Sequence, residues 1–250
     1  MKLAYLEIDY RRSTFDAMTA RERRAFMERA SISWLYHEHA IEGVVLSEAD
    51  IHRALEGRPS RNYCDGRTQR SLRRLHASLA EIQHQAAFGC PEVTLEWLKE
   101  RHAALCDQDD PCAGRYRKRD TSPGVYNLDV SPASSISYYF RKFIDMYETE
   151  LRSSHPVRAA ALAHWEFMHV FPFDERTGFV GRLMLNYILL RNDYPPAIFH
   201  AQDRHHYFGA LGGHRADMVP VVVEAGGSTI RAAEAFCRAR VEPQTPLAAY

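Results

Sequence analysis

Arg182 poses the sharpest chemical question in this 250-residue chain. It is the only charge in the body of the segment 178–190, where Val180, Leu183, Met184, Leu185, Tyr187, Ile188, Leu189 and Leu190 are apolar on nearly every face of a helix. A helix that is apolar all round lies inside a domain. A guanidinium buried there is costly unless an acid meets it, so Arg182 requires a carboxylate from elsewhere in the chain. Three further groups could do chemistry. His37, Glu38, His39 and Glu42 fall on one helix, and His39 and Glu42, three apart, share a face. Glu166 and His169 have the Glu-x-x-His spacing used by carboxylate metal sites in helical bundles. His205 and His206 sit on a later helix. Convergence of these groups would build a transition-metal site or an acid–base centre; the plainer alternative is polar residues on solvated helix faces. A basic run, Arg115, Arg117, Lys118 and Arg119 around Tyr116, either grips phosphates or an acidic partner, or forms a solvated surface.

The elements that must position these residues are helical almost throughout. Apolar side chains space residues 20–39 through Phe26, Ala30, Ile32 and Trp34, and residues 66–87 through Leu72, Leu75, Leu79 and Ile82. Ser47-Glu48-Ala49-Asp50 reads as an N-cap with an acidic first turn, on a helix that stops near Gly57-Arg58-Pro59, and Thr94 opens a helix over 93–105. Helices are expected again at 133–153, 155–170, 175–192, 203–212 and 217–238. Between them, 107–132 is punctuated by proline and glycine, with β-leaning Tyr116 and Val125-Tyr126, and predicts a hairpin or flap. Trp34, Trp97 and Trp165 are expected as packing residues.

Bulk properties exclude several classes. Lys+Arg and Asp+Glu balance at 32 each, so no electrostatic pull toward nucleic acid or membrane is expected. No apolar run approaches the roughly 20 residues that span a bilayer. The five cysteines, Cys64, Cys90, Cys106, Cys112 and Cys237, contain no CxxC pair, against a zinc ribbon. The N-terminal Met-Lys-Leu-Ala-Tyr-Leu-Glu lacks a signal-peptide pattern, and a reduced, cytoplasmic setting is expected.

The run Phe171-Pro172-Phe173-Asp174-Glu175-Arg176-Thr177-Gly178-Phe179-Val180-Gly181-Arg182 resembles, without gaps, the HPFx(D/E)GNGRxxR motif of Fic (Fido) domains. Asn186 matches a later asparagine, and Tyr194-Pro195-Pro196 with Asp203 to Leu211 resemble the segment that follows. Upstream, His39-Ala40-Ile41-Glu42-Gly43 is similar to the family's inhibitory helix (S/T)xxxE(G/N), with Glu38 in place of the Ser or Thr. Ala113-Gly114-Arg115-Tyr116-Arg117 resembles the opening of the family's flap. The resemblance spans about residues 30–240, and its motif is degenerate. It implies an all-α, Fic-like helical bundle around a central buried helix, with a small β-hairpin flap. The expected division is an N-terminal extension over 1–30, the Fic-like domain over 31–240 and a frayed tail over 241–250.

Fic enzymes typically move AMP from ATP onto a protein hydroxyl, and the resemblance assigns roles accordingly. Phe171 takes the place of the family's catalytic histidine and cannot accept a proton. Glu175 takes the place of the Mg²⁺-holding acid. Arg176, Thr177, Gly178 and Arg182 take the phosphate-binding positions, His206 borders the nucleotide pocket, and Phe179 replaces a phosphate-binding arginine. The resemblance also pairs Arg182 with Glu42. A base, if one remains, comes from Glu42, Glu175, His39 or His169; a slipped alignment that sets His169-Val170-Phe171 on His-Pro-Phe needs two extra loop residues. Three readings stay open: a non-catalytic protein with a pocket kept for a changed protein or small-molecule ligand; a repurposed enzyme for nucleotidyl or phosphoryl transfer or small-molecule chemistry that uses the His/Glu cluster, with or without a metal; and residual AMP transfer with Mg²⁺ and a nucleotide. The first predicts a cleft plugged by Phe171 and Phe179, the second an open, polar-lined pocket. Fic-like helical surfaces often pair, so a homodimer is a further expectation.

Overall fold

The helices form where side chains cap them and apolar stripes recur, and the computed structural model describes residues 2–59, 65–89 and 91–241. They are α1 (Lys2–Asp16), α2 (Ala20–Ile41), α3 (Glu48–Leu55), α4 (Gly66–Phe88), α5 (Leu95–Leu105), α6 (Ile136–Met146), α7 (Pro156–Val170), α8 (Thr177–Leu190), α9 (Arg204–Gly212) and α10 (Met218–Val241). Capping boxes open α2 (Thr19 with Glu22) and α3 (Ser47 with Asp50), each satisfying two otherwise unpaired amides. Asp65 and Thr94 cap α4 and α5, and Pro156 begins α7, where a missing N–H costs nothing. A π-turn, Tyr147–Leu151, continues α6. The tail expected at 241–250 lies outside the described residues, apart from Val241.

α8 is the centre of the bundle, and every residue from Thr177 to Leu189 is buried. α7 packs along it most extensively, with α4 and α5 on other sides, while α10 packs on α1 and α7. The expected stripe of α4 (Leu72, Leu75, Leu79 and Ile82) is buried, as are Trp34 and Trp97; Trp165 is half-buried. Asn186 pins the descending chain by accepting from the Ala197 amide (2.7 Å) and donating to its carbonyl (3.2 Å). None of the described helices is long and apolar enough to cross a membrane.

The β-hairpin flap is not formed: no strand occurs among the described residues. Pro111, Pro123 and Pro132 remove donors that a strand ladder needs. The remaining amides turn locally or reach the loop after α7: Arg117 N–H donates to the Pro172 carbonyl and Ser131 N–H to that of His169, both at 2.9 Å.

Candidate functional site

The loop 171–176 between α7 and α8 begins and ends on non-glycine residues in the left-handed region, Phe171 (φ 45°) and Arg176 (φ 61°). Side chains are rarely tolerated there, and a bulky one least, so contacts on both sides must hold the loop. Arg117 supplies one set. Buried at 2% exposure, it donates from Nε to the Phe171 carbonyl (2.8 Å), from Nη1 to that of Arg119 (2.8 Å) and from Nη2 to that of Ser131. The basic run is therefore divided: Arg117 is an internal clamp, and Arg115, Lys118 and Arg119 stay exposed.

His102 supplies the other set. Its ring lies flat on Phe173 (3.9 Å, 2° between planes). Nδ1 accepts the Gly114 amide (3.0 Å), so the proton sits on Nε2, which donates to the Glu175 carbonyl (3.2 Å). Burial depresses this imidazole to about pKa 4. Protonation would put a second N–H against the Gly114 donor. The unfolded chain takes up that proton below about pH 6.5 and the folded chain only near 4. Stability present above 6.5 is therefore lost as pH falls toward 4. Urea midpoints should decline over that window, and less steeply in His102→Gln; parallel declines would remove His102 from this role.

Arg182 finds two carboxylates. Its Nε donates to Glu38 Oε2 at 2.6 Å and its Nη2 to Glu42 Oε1 at 2.8 Å, while Nη1 reaches the hydroxyls of Tyr126 (3.0 Å) and Tyr207 (3.4 Å). The Tyr126 hydroxyl donates a hydrogen bond to Glu42 Oε1, and burial keeps that phenol protonated by raising its pKa well above 10. Tyr207 continues to His164 Nε2 (2.9 Å), and Trp34 Nε1 donates to Glu38 Oε1 (3.3 Å). Burial raises the Glu38 carboxyl, and Arg182 offsets part of that shift. Thus the pairing with Glu42 is present, and Glu38, four residues earlier on the same face, completes it. The i,i+4 spacing of two acids was the available signal; Tyr126, from an irregular segment, left none.

This network lies against Gly178. A Cβ built there would meet the Tyr126 hydroxyl at 1.7 Å and Glu42 Oε1 at 2.4 Å, so their approach requires glycine. Phe171 and Phe179 are 7% and 8% exposed; Tyr126 meets Phe171 edge-on at 6.1 Å, and Phe179 lies beside Arg182 at 5.5 Å. The side of Gly178 on which a Cβ would stand is thereby filled with protein atoms.

The other expected site residues are placed differently. Glu175 points outward with its side chain 58% exposed; Arg67 Nη2 holds both its oxygens (3.1 and 2.8 Å) and Arg176 Nη1 adds 3.2 Å to one. Two guanidinium groups supply the positive charge a metal would bring, and no group of three His, Cys, Asp or Glu among the described residues could hold an ion. The described side chains therefore form no cluster that could hold a metal ion by themselves. Thr177 spends its hydroxyl on Phe173, accepting from its amide (3.2 Å) and donating to its carbonyl (3.0 Å). His39 donates from Nδ1 to the Leu35 carbonyl (3.0 Å) and accepts from Ser71 at Nε2 (3.2 Å), so neither nitrogen is free to act as a base. His169 turns away from the centre. It stacks on Trp165 (3.6 Å), donates to the Trp165 carbonyl and lines an outer groove with Glu166, whose carboxylate is held by Arg215 (3.3 Å). His206 is exposed at a separate depression with Asp203, Glu224 and Arg231. The histidines and carboxylates therefore do not converge on one open pocket.

Comparison with known proteins gives a consistent result. The Fic/DOC family model matches residues 92–189. A protein adenylyltransferase Fic from Culex quinquefasciatus is 29% identical over 242 residues, covering 94% of this chain and 47% of its own length. The corresponding protein of Aedes aegypti is 28% identical over 231 residues, covering 88% and 44%. The chain spans about half the length of the curated relatives it matches. Among solved structures, a Fic domain containing signaling protein from Bacteroides thetaiotaomicron superposes with a TM-score of 0.80 at 20% identity, covering 96% of this chain and 98% of that one.

Proposed function

The chain carries a Fic (Fido) domain, and on that premise we propose that it acts as a non-catalytic Fic-fold binding protein rather than as a protein adenylyltransferase like those it resembles. The observation that carries this reading is the occupation of the Gly178 face by Tyr126 and Glu42, both tied to Arg182. Phe171, in the position of the motif histidine, has no lone pair to accept a proton, and general-base catalysis is worth about 10²–10⁴-fold. Phe179 removes a cation from the loop that would face the phosphates. Glu175 is already neutralised by Arg67 and Arg176. These changes act in one direction: a polyphosphate would meet aromatic rings and a carboxylate where it needs donors and positive charge. The centre then serves as a rigid polar core, and recognition of a partner or ligand falls to the surface.

The test is an assay with ATP labelled at the α-phosphate, in the presence of Mg²⁺. The unaltered protein should transfer no label and gain no thermal stability from ATP. The combined variant Phe171→His, Phe179→Arg, Glu42→Gly should gain a nucleotide-dependent rise in Tm. Label transfer by the unaltered chain that disappears in Glu175→Ala would overturn the proposal.

A further inference from the structure

α4 and α5 border a groove of about 590 Å³ that shares no residue with the Arg182 network. One wall is a stripe of α4 at helical spacing, Arg70, Arg73, Arg74 and Ser78, and Arg101 of α5 lines the other side. Alanines 77 and 104 leave room between them. The four guanidinium groups are incompletely matched. A single oxygen of Asp107 takes both Arg70 Nε (3.2 Å) and Arg74 Nη2 (3.1 Å). Arg73 spends Nη1 on the neutral Ala54 carbonyl (3.0 Å). Arg101 lies 3.9 Å from both Glu81 and Glu100, beyond hydrogen-bond reach. Each guanidinium has five donors, so most remain unspent. Among the described residues, two buried donors have no partner: the Ser78 hydroxyl, on a residue 3% exposed, and Arg101 Nε, on a residue 8% exposed. A buried donor without an acceptor opposes folding, and an alanine at 78 would avoid that cost.

We propose that this groove binds a phosphomonoester dianion. Arg74 and Arg101 grip its oxygens and the Ser78 hydroxyl donates to one of them. Guanidinium forks match tetrahedral oxyanions with paired N–H···O bonds. A doubly charged group is needed because Asp107 and Glu81 already compete for the same arginines. The inference stands independently of the closed centre, with which it shares no residue.

The test is calorimetric titration and thermal shift on the full chain at fixed ionic strength. The probes are inorganic phosphate, phosphoserine and ribose 5-phosphate, with serine, ribose and sodium chloride as controls. All three phosphorylated probes should bind and raise Tm, and the controls should not. The stronger of phosphoserine and ribose 5-phosphate identifies the source as a modified side chain or a sugar phosphate. Ser78→Ala should keep or raise the ligand-free Tm while weakening phosphate by about fivefold, the scale of one hydrogen bond. Arg74→Gln and Arg101→Gln should each weaken it by about tenfold, and Arg29→Gln on α2 should leave it unchanged. No response to any phosphorylated probe, an equal response to chloride, or full phosphate affinity in Ser78→Ala would each overturn the assignment. The serine variant keeps the test decisive if an arginine variant does not fold.

Discussion

Arg182→Ala should lower unfolding free energy by about 3–5 kcal/mol, the cost of stranding buried charge. The guanidinium is fully buried and bonds Glu38, itself 3% exposed, and Glu42. Removing it leaves two carboxylates facing each other on one side of α2, with only Trp34 and Tyr126 to donate to them. The loss should depend on pH in a defined direction. Glu38 is already raised by burial, and without Arg182 it rises further. A raised folded pKa contributes stability below the unfolded carboxyl value near 4.3 and loses it as pH rises through the folded value. The deficit relative to the unaltered protein should therefore be larger at pH 8 than at pH 5. The combined change Arg182→Met, Glu38→Gln, Glu42→Gln should recover much of the loss, because it removes the stranded charges together. Urea denaturation of the three proteins at both pH values measures this. A cost under about 1 kcal/mol for Arg182→Ala, the scale of an exposed pair, would mean that the network does not hold the bundle centre.

Arg117→Ala is expected to cost about 3 kcal/mol or more. Hydrogen bonds from charged groups are worth about 1.5–3 kcal/mol each, and this side chain makes three, to the carbonyls of Phe171, Arg119 and Ser131. The carbonyl of Phe171 belongs to a residue with φ of 45°, so the clamp also holds a conformation its own side chain disfavours. Lysine should rescue little, since one ammonium cannot span three carbonyls in a plane. Hydrogen exchange should speed up across 171–176 while α10 stays protected. Equal exchange rates in both proteins, with unchanged stability, would show that the loop is held by His102 and packing alone.

These two arginines mark the boundary of what reading the chain could reach. The demand of Arg182 for an acid followed from its apolar neighbours, and Glu42 came from the resemblance of a short upstream motif. The cap of α3 and the buried stripe of α4 were likewise local, set by residues three or four apart. Arg117 looked like its exposed neighbours because a basic run has no periodicity to separate an inward side chain from an outward one. The hairpin was wrong for a related reason: β-leaning side chains are visible in sequence, but the partner of a backbone amide is not. Those amides pair with the loop after α7 instead.

Phe171 and the residues around it divide in the same way. The amino-acid order alone indicated a central apolar helix with its one buried cation, and a resemblance to a motif that has histidine at the place of Phe171. Folding supplied what lies far away along the chain. Arg182 meets Glu38 across 144 positions and Tyr126 across 56. Arg67 reaches Glu175 from 108 positions away. Side-chain spacing reports neighbours within one or two helical turns, whereas closing this site required groups from α2, α8 and the segment before α6 to exclude water together. That exclusion, with Gly178 as the surface on which Tyr126 and Glu42 meet, gives the centre of the bundle its closed polar network.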